Sequence, residues 1–195
     1  MNGRGRTKVA GLGLAAVAGA AVMVVELGVA RVLTPVFGGS ISVWAIVIAT
    51  TMLALAAGYA FGGYRADRSG GLVVASRAAV IGALLCAAIP LVRMPLIEAT
   101  IGLSTLYGAT AVAIALIAPA LFFLSQVSPA LIRGLADDGT THVGVTAGGI
   151  YAISTLGSHL LTFLTQDFDC LIKVAFGLNE GLFTIHHSAS RHLAK

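Results

Sequence analysis

The chain has 195 residues, of which 57% are hydrophobic and 10% charged, and its mean hydropathy is +0.95. Ordinary soluble domains carry roughly 25% charged residues, and a fold of this size keeps much of its surface in water. The composition therefore excludes a soluble enzyme, a nucleic-acid-binding module and a disordered tail. The net charge of +4 is read through membrane topology instead of through affinity for nucleic acid.

A helix crossing the hydrocarbon core needs about 20 mostly apolar residues. Five stretches qualify: 9–33, 41–64, 72–92, 101–127 and 145–165. The second and fourth contain no charge. Lipid offers no hydrogen-bond partners, so each must be helical to satisfy its own backbone. The expected architecture is an all-α integral membrane protein with about five transmembrane helices, in contact with the lipid bilayer. The first stretch, with its basic start and its Ala18-Gly19-Ala20 run, also has the make-up of a signal peptide. Its apolar run continues past that site, which favours a span.

Residues 1–8 form a basic N-terminus, and cytoplasmic loops carry an excess of Lys and Arg. With the N-terminus in the cytoplasm, Arg4, Arg6, Lys8, Arg65, Arg68 and Arg133 all lie inside. Arg77 can snorkel to the same side. The outer side receives Arg31 and Arg93. Five spans then place the C-terminus outside. Residues 166–195 hold Asp167, Asp169, Lys173, Glu180, Arg191 and Lys195. A sixth span there would bury charges at about 2.5–3.5 kcal/mol each, so this segment reads as a polar tail.

Glu26 sits inside the first span, and an intramembrane ionisable residue marks a candidate functional site. Its expected partner is Arg31 or a polar group on another helix. The alternatives are binding of a cation, relay of a proton, or a structural lock between helices. In the fifth span, Tyr151, Ser154, Thr155 and Ser158 follow i, i+3, i+4, i+7 spacing, so one helix face is polar. That face either lines a water-filled path or bonds to neighbouring helices.

The loop Gly62 to Gly71 carries the glycines of a tight turn. In it Asp67 either caps the next helix or pairs with a basic residue. Gly58 and Gly62, Gly144 and Gly148, and Ala15 and Gly19 have the small-residue spacing that lets helices approach closely. Pro119 removes a backbone hydrogen bond and predicts a bend in the fourth span. Residues 131–139 read as a short interfacial helix and turn. His186, His187 and His192 do not make a metal site, and Cys86 and Cys170 do not point to redox chemistry. No nucleotide, hydrolase or metalloprotease motif is present, so neither a cofactor nor a metal is expected.

Four stretches, taken in order, carry a resemblance. The first has Glu26, Arg31, Leu33, Pro35, Phe37, Gly38 and Ser40, followed by Trp44. The second has Gly58-Tyr59, Gly62-Gly63 and Ala66-Asp67-Arg68. The third runs from Ser128 to Arg133 and the fourth from Gly148 to Ser158. Together they resemble the membrane part of the fused major-facilitator/spermidine-synthase proteins over about residues 9–165. The second stretch is also similar to the loop between helices two and three of major facilitators, through Gly63, Asp67, Arg68 and Gly70. The basic pair usual after that glycine is replaced by Gly71 and Leu72.

The resemblance implies a polytopic helical membrane region, often followed by a cytosolic aminopropyltransferase domain. No stretch after Thr165 has the strands, the Gly-rich turn or the acidic residues of that domain, so no enzyme activity is expected. The pattern departs near His159. A truncated or frame-shifted gene, or a short paralogue, would produce that departure. The leading expectation is transport or handling of a small cationic metabolite, such as a polyamine. Glu26, Arg31, Tyr151, Ser154, Thr155 and Ser158 would form its site. Five spans are few for alternating access, so a homo-oligomer or a partner chain is implied. The alternatives are a non-catalytic anchor for a separate aminopropyltransferase and a truncated family member. The expected location is the cell membrane.

Overall fold

The computed structural model describes residues 3–136 and 143–164, and all the described elements are helices. They are α1 (Gly3–Phe37), α2 (Ile41–Ser69), α3 (Gly71–Thr100), α4 (Thr105–Ser125), α5 (Val127–Ala136) and α6 (Val143–Leu164). The tail 166–195 lies outside the described residues. The protein is a multi-pass membrane protein. Leu91 is 79% exposed and Leu53 is 73% exposed, an apolar surface suited to contact with lipid.

Among the described residues four helical segments are long and apolar enough to cross a bilayer: Gly5–Phe37, Ile41–Ser69, Gly71–Thr100 and Thr105–Ala136. The expected fifth span is also a helix, α6, of 22 residues, and it is not among these four. At 1.5 Å rise per residue it is still about 33 Å long, enough to match a hydrocarbon core of about 30 Å. Where five spans were expected, the described residues hold four helices that meet this standard and, in α6, a further helix of membrane-spanning length. The helices also run past the sequence limits. α3, for example, continues through Pro90, Arg93, Pro95 and Glu98 to Thr100.

The fourth apolar segment is the centre of the bundle. In its most apolar window 56% is buried, against 28% to 33% in the other three. α4 packs against α1, α2 and α3. Val29, Leu33, Val47, Ile117 and Leu121 form the main apolar core. α4 continues through Pro119, and the change of element comes later, at Gln126. There the Gln126 N–H donates to the Phe123 carbonyl at 3.2 Å, an i to i−3 bond that tightens the last turn. Pro129 in the next turn has no N–H to continue the α-helical ladder.

The short helix expected near 131 begins earlier, at Val127, and one face of it is buried; the turn expected at 137–139 lies outside the described residues. Val127, Ser128, Ala130, Leu131 and Leu135 are buried. α5 contacts α1, α2, α3 and α6, so it closes one end of the bundle. The second apolar cluster lies there, with Ala15, Ala18, Ala66, Val74, Leu131, Leu135 and Ile150.

Glycines set these close approaches. Gly11 faces Leu131 and Leu135, and Gly71 lies against Ala130 and Gly134. These contacts bring the start of α1, the α2–α3 turn and α5 to one end. That end carries Arg6, Lys8, Arg65, Arg68 and Arg133, as the charge bias requires of a cytoplasmic face. Phe37 packs on Gly108 at the opposite end. Only Gly70 separates α2 from α3, at φ 83°, a backbone conformation that favours glycine. Ser40 begins α2, where its hydroxyl oxygen accepts from the Val43 N–H at 3.4 Å.

α6 lies along α1. Ile150 near its start joins the cluster of Leu12, Ala15 and Ala18. Leu161, eleven residues on, packs on the core that contains Val25 and Val29. The two helices therefore run in the same direction. Their contact is between small residues: Gly19 faces the Ser154 backbone, and Gly157 faces the Ala16 backbone. This is the close packing that small residues permit in lipid, where dispersion and hydrogen bonding drive helix association.

Candidate functional site

α1 presents Gly19, Val22, Met23 and Glu26 along one face, at i, i+3, i+4 and i+7. α6 presents Ser154, Thr155 and Ser158 opposite them, and α2 adds Tyr59. These eight residues line an open groove of about 140 Å³. Glu26 is the only charged member. The other polar members are four hydroxyls, and Val22 and Met23 supply apolar wall. The Ser158 hydroxyl donates to the Thr155 carbonyl at 2.8 Å.

The groove depends on the small-residue contact beneath it. A side chain on Gly19 would displace the Ser154 backbone, and with it the hydroxyl-bearing face of α6. Helix geometry then brings Glu26 to the hydroxyls, since it lies two turns beyond Gly19 on the same face.

Of the six residues expected at the site, Glu26, Ser154, Thr155 and Ser158 line this groove together. Arg31 does not line the groove and is exposed. Five residues of helix turn it about 140° away from Glu26. Tyr151 also lies outside the lining. It is 46% exposed. Gly19, Val22, Met23 and Tyr59 are the lining residues that the sequence reading did not select for this site. Tyr59 carried one usable signal, a phenol in an uncharged span next to the packing glycine Gly58.

The loop motif is elsewhere. Asp67 lies eight residues past Tyr59, about 12 Å along α2. Its carboxylate accepts from Arg133 Nε at 3.0 Å. Of the two roles open to Asp67, pairing with a basic residue is the one observed. The guanidinium of Arg68 stacks 4.4 Å from the Tyr64 ring. Gly70 makes the turn, whereas Gly63 faces open space. The motif clasps α2 to α5 at the basic end and takes no part in the groove.

Among the described residues no group of three His, Cys, Asp or Glu is placed to hold a metal ion. His186, His187 and His192 lie outside the described residues. Cys86 is a half-buried free thiol, away from the groove lining. No protein-family model, curated protein or solved structure matches the chain.

Proposed function

We propose that this protein binds a small organic cation in the groove between α1, α2 and α6 and moves it within or across the cell membrane. The observation that carries the reading is the convergence of Glu26 with Ser154, Thr155, Ser158 and Tyr59 around one accessible groove. A carboxylate within a membrane helix is costly and finds its use with a cationic partner. Among the described residues no lining residue is cationic, which suits the groove to a cationic ligand. Hydroxyl oxygens accept hydrogen bonds from an ammonium and can replace its hydration.

The resemblance to the membrane part of the spermidine-synthase-like proteins points the same way, towards an amine. The four or five crossing helices among the described residues are fewer than the paired repeats of an alternating-access transporter, and a homo-oligomer or a partner membrane chain would supply the rest.

The test is uptake of radiolabelled small amines by proteoliposomes containing the purified chain or its Glu26→Gln variant. Uptake by the wild type that is lost in a folded variant is the expected result. No uptake of any amine by well-folded wild type would argue against transport and favour an anchoring role for the helices.

A further inference from the structure

We infer that the groove recognises a single ammonium group, so that its ligand is a compact monoamine and not a di- or polyamine. The inference rests on the cation-binding reading and narrows it. Three observations carry it.

The first is the count of negative charges. Among the described residues Glu26 is the one acid lining the groove. Asp67 is bonded to Arg133 at the basic end, and Glu98 is exposed near the far end of α3. A second ammonium on the same ligand would have only hydroxyl oxygens to meet. A charge in an apolar setting needs a counter-charge, and neutral acceptors replace it poorly.

The second is the character of the wall. Val22 and Met23 follow each other towards Glu26 on α1, and Gly19 closes the other end of that face. The carbon chain of an amine fits against these groups. An ammonium at its far end would be desolvated against them.

The third is size. The groove holds about 140 Å³. Apolar cavities of about 150 Å³ accept a six-carbon ring such as benzene. A ligand of about six non-hydrogen atoms is therefore accommodated, with an ammonium at Glu26 and its carbon chain along α1.

The test compares two ligands of equal size and different charge. n-Pentylamine and 1,4-diaminobutane each have six non-hydrogen atoms, and they differ by one ammonium group. Their binding to the full chain in lipid nanodiscs is measured by calorimetry, with empty nanodiscs as the blank. The expected result is that n-pentylamine binds at least tenfold more tightly than 1,4-diaminobutane. Glu26→Gln should weaken n-pentylamine by about ten- to a hundredfold, the usual range for losing a hydrogen bond to a charged group.

Tighter binding of the diamine, with Glu26→Gln still abolishing it, would overturn the single-ammonium inference and leave the cation-binding reading intact. Binding of neither amine to folded wild type would overturn both. Thr155→Val, which keeps shape and removes one hydroxyl, guards against misfolding of the Glu26 variant. It should weaken n-pentylamine several-fold; unchanged binding, with Glu26→Gln also without effect, would overturn the assignment of the site.

Discussion

Gly19 of α1 lies so close to Ser154 of α6 that the Ser154 backbone carbonyl occupies the place where a side chain on residue 19 would begin. Gly157 makes the reciprocal approach to Ala16. This pair of contacts holds α6 against α1 and so builds the groove around Glu26.

Gly19→Val should therefore open the α1–α6 contact. An expected loss of ~1–3 kcal/mol would appear as a lower thermal transition in nanodiscs, with amine binding weakened in parallel. Gly148→Ala is the control, because nothing lies within 4 Å of the position its methyl would take. It should leave the transition unchanged or slightly raised, since alanine favours helix over glycine. An equal loss in both variants would show that the Gly19 contact is not special.

Near the α4–α5 junction two residues in contact should respond by different amounts. Gln126 is fully buried; its Nε2 donates to the Phe122 carbonyl at 3.1 Å, and its Oε1 has no partner. Gln126→Met keeps an unbranched chain of similar length. It loses one hydrogen bond and removes one orphaned acceptor, so stability should change by no more than ~1 kcal/mol. Gly62→Ala should cost more, because its methyl would lie 2.7 Å from the Gln126 Cα and backbone must move. Unfolding midpoints of the two variants decide between these expectations.

The Asp67–Arg133 pair joins segments far apart in the chain, yet it is exposed, at 69% and 46% of the two side chains. Solvent screens such a pair, and a double-mutant cycle with Asp67→Asn and Arg133→Gln should give a coupling of ~0–1 kcal/mol. The coupling should shrink further in high salt. A coupling of several kcal/mol would mean that the pair is shielded in the assembled protein.

Topology can be read with thiol labelling after Cys86 and Cys170 are replaced by serine. A cysteine at Ser69, in the turn beside the basic end, should react only from the cytoplasmic side. A cysteine at Gly39, in the α1–α2 connection, should react only from the opposite side. Both positions are exposed in the fold. The reverse pattern would overturn the orientation drawn from Arg6, Lys8, Arg65, Arg68 and Arg133.

Much of this was legible before any coordinates. Apolar runs of membrane-spanning length had to become helices, because lipid leaves the backbone no other partner. Gly58 and Gly62 were readable as a packing pair, and in the fold they do meet α4 at Ser125 and α5's approach at Gln126. Gly144 and Gly148 have the same spacing and meet nothing within 4 Å. Spacing alone states which residues share a face, and not whether a neighbour stands opposite.

The same limit applies to the candidate site. By itself the sequence determined that Glu26 is a charge inside a helix and that Ser154, Thr155 and Ser158 form a polar face on another. Only the tertiary structure decided that these faces oppose each other, that Tyr59 completes them and that Arg31 turns away. The physical reason is that polarity and periodicity act within one helix, over turns of 5.4 Å. Which helices meet depends on backbone approach between segments more than a hundred residues apart, here settled by the small residues Ala16, Gly19, Ser154 and Gly157.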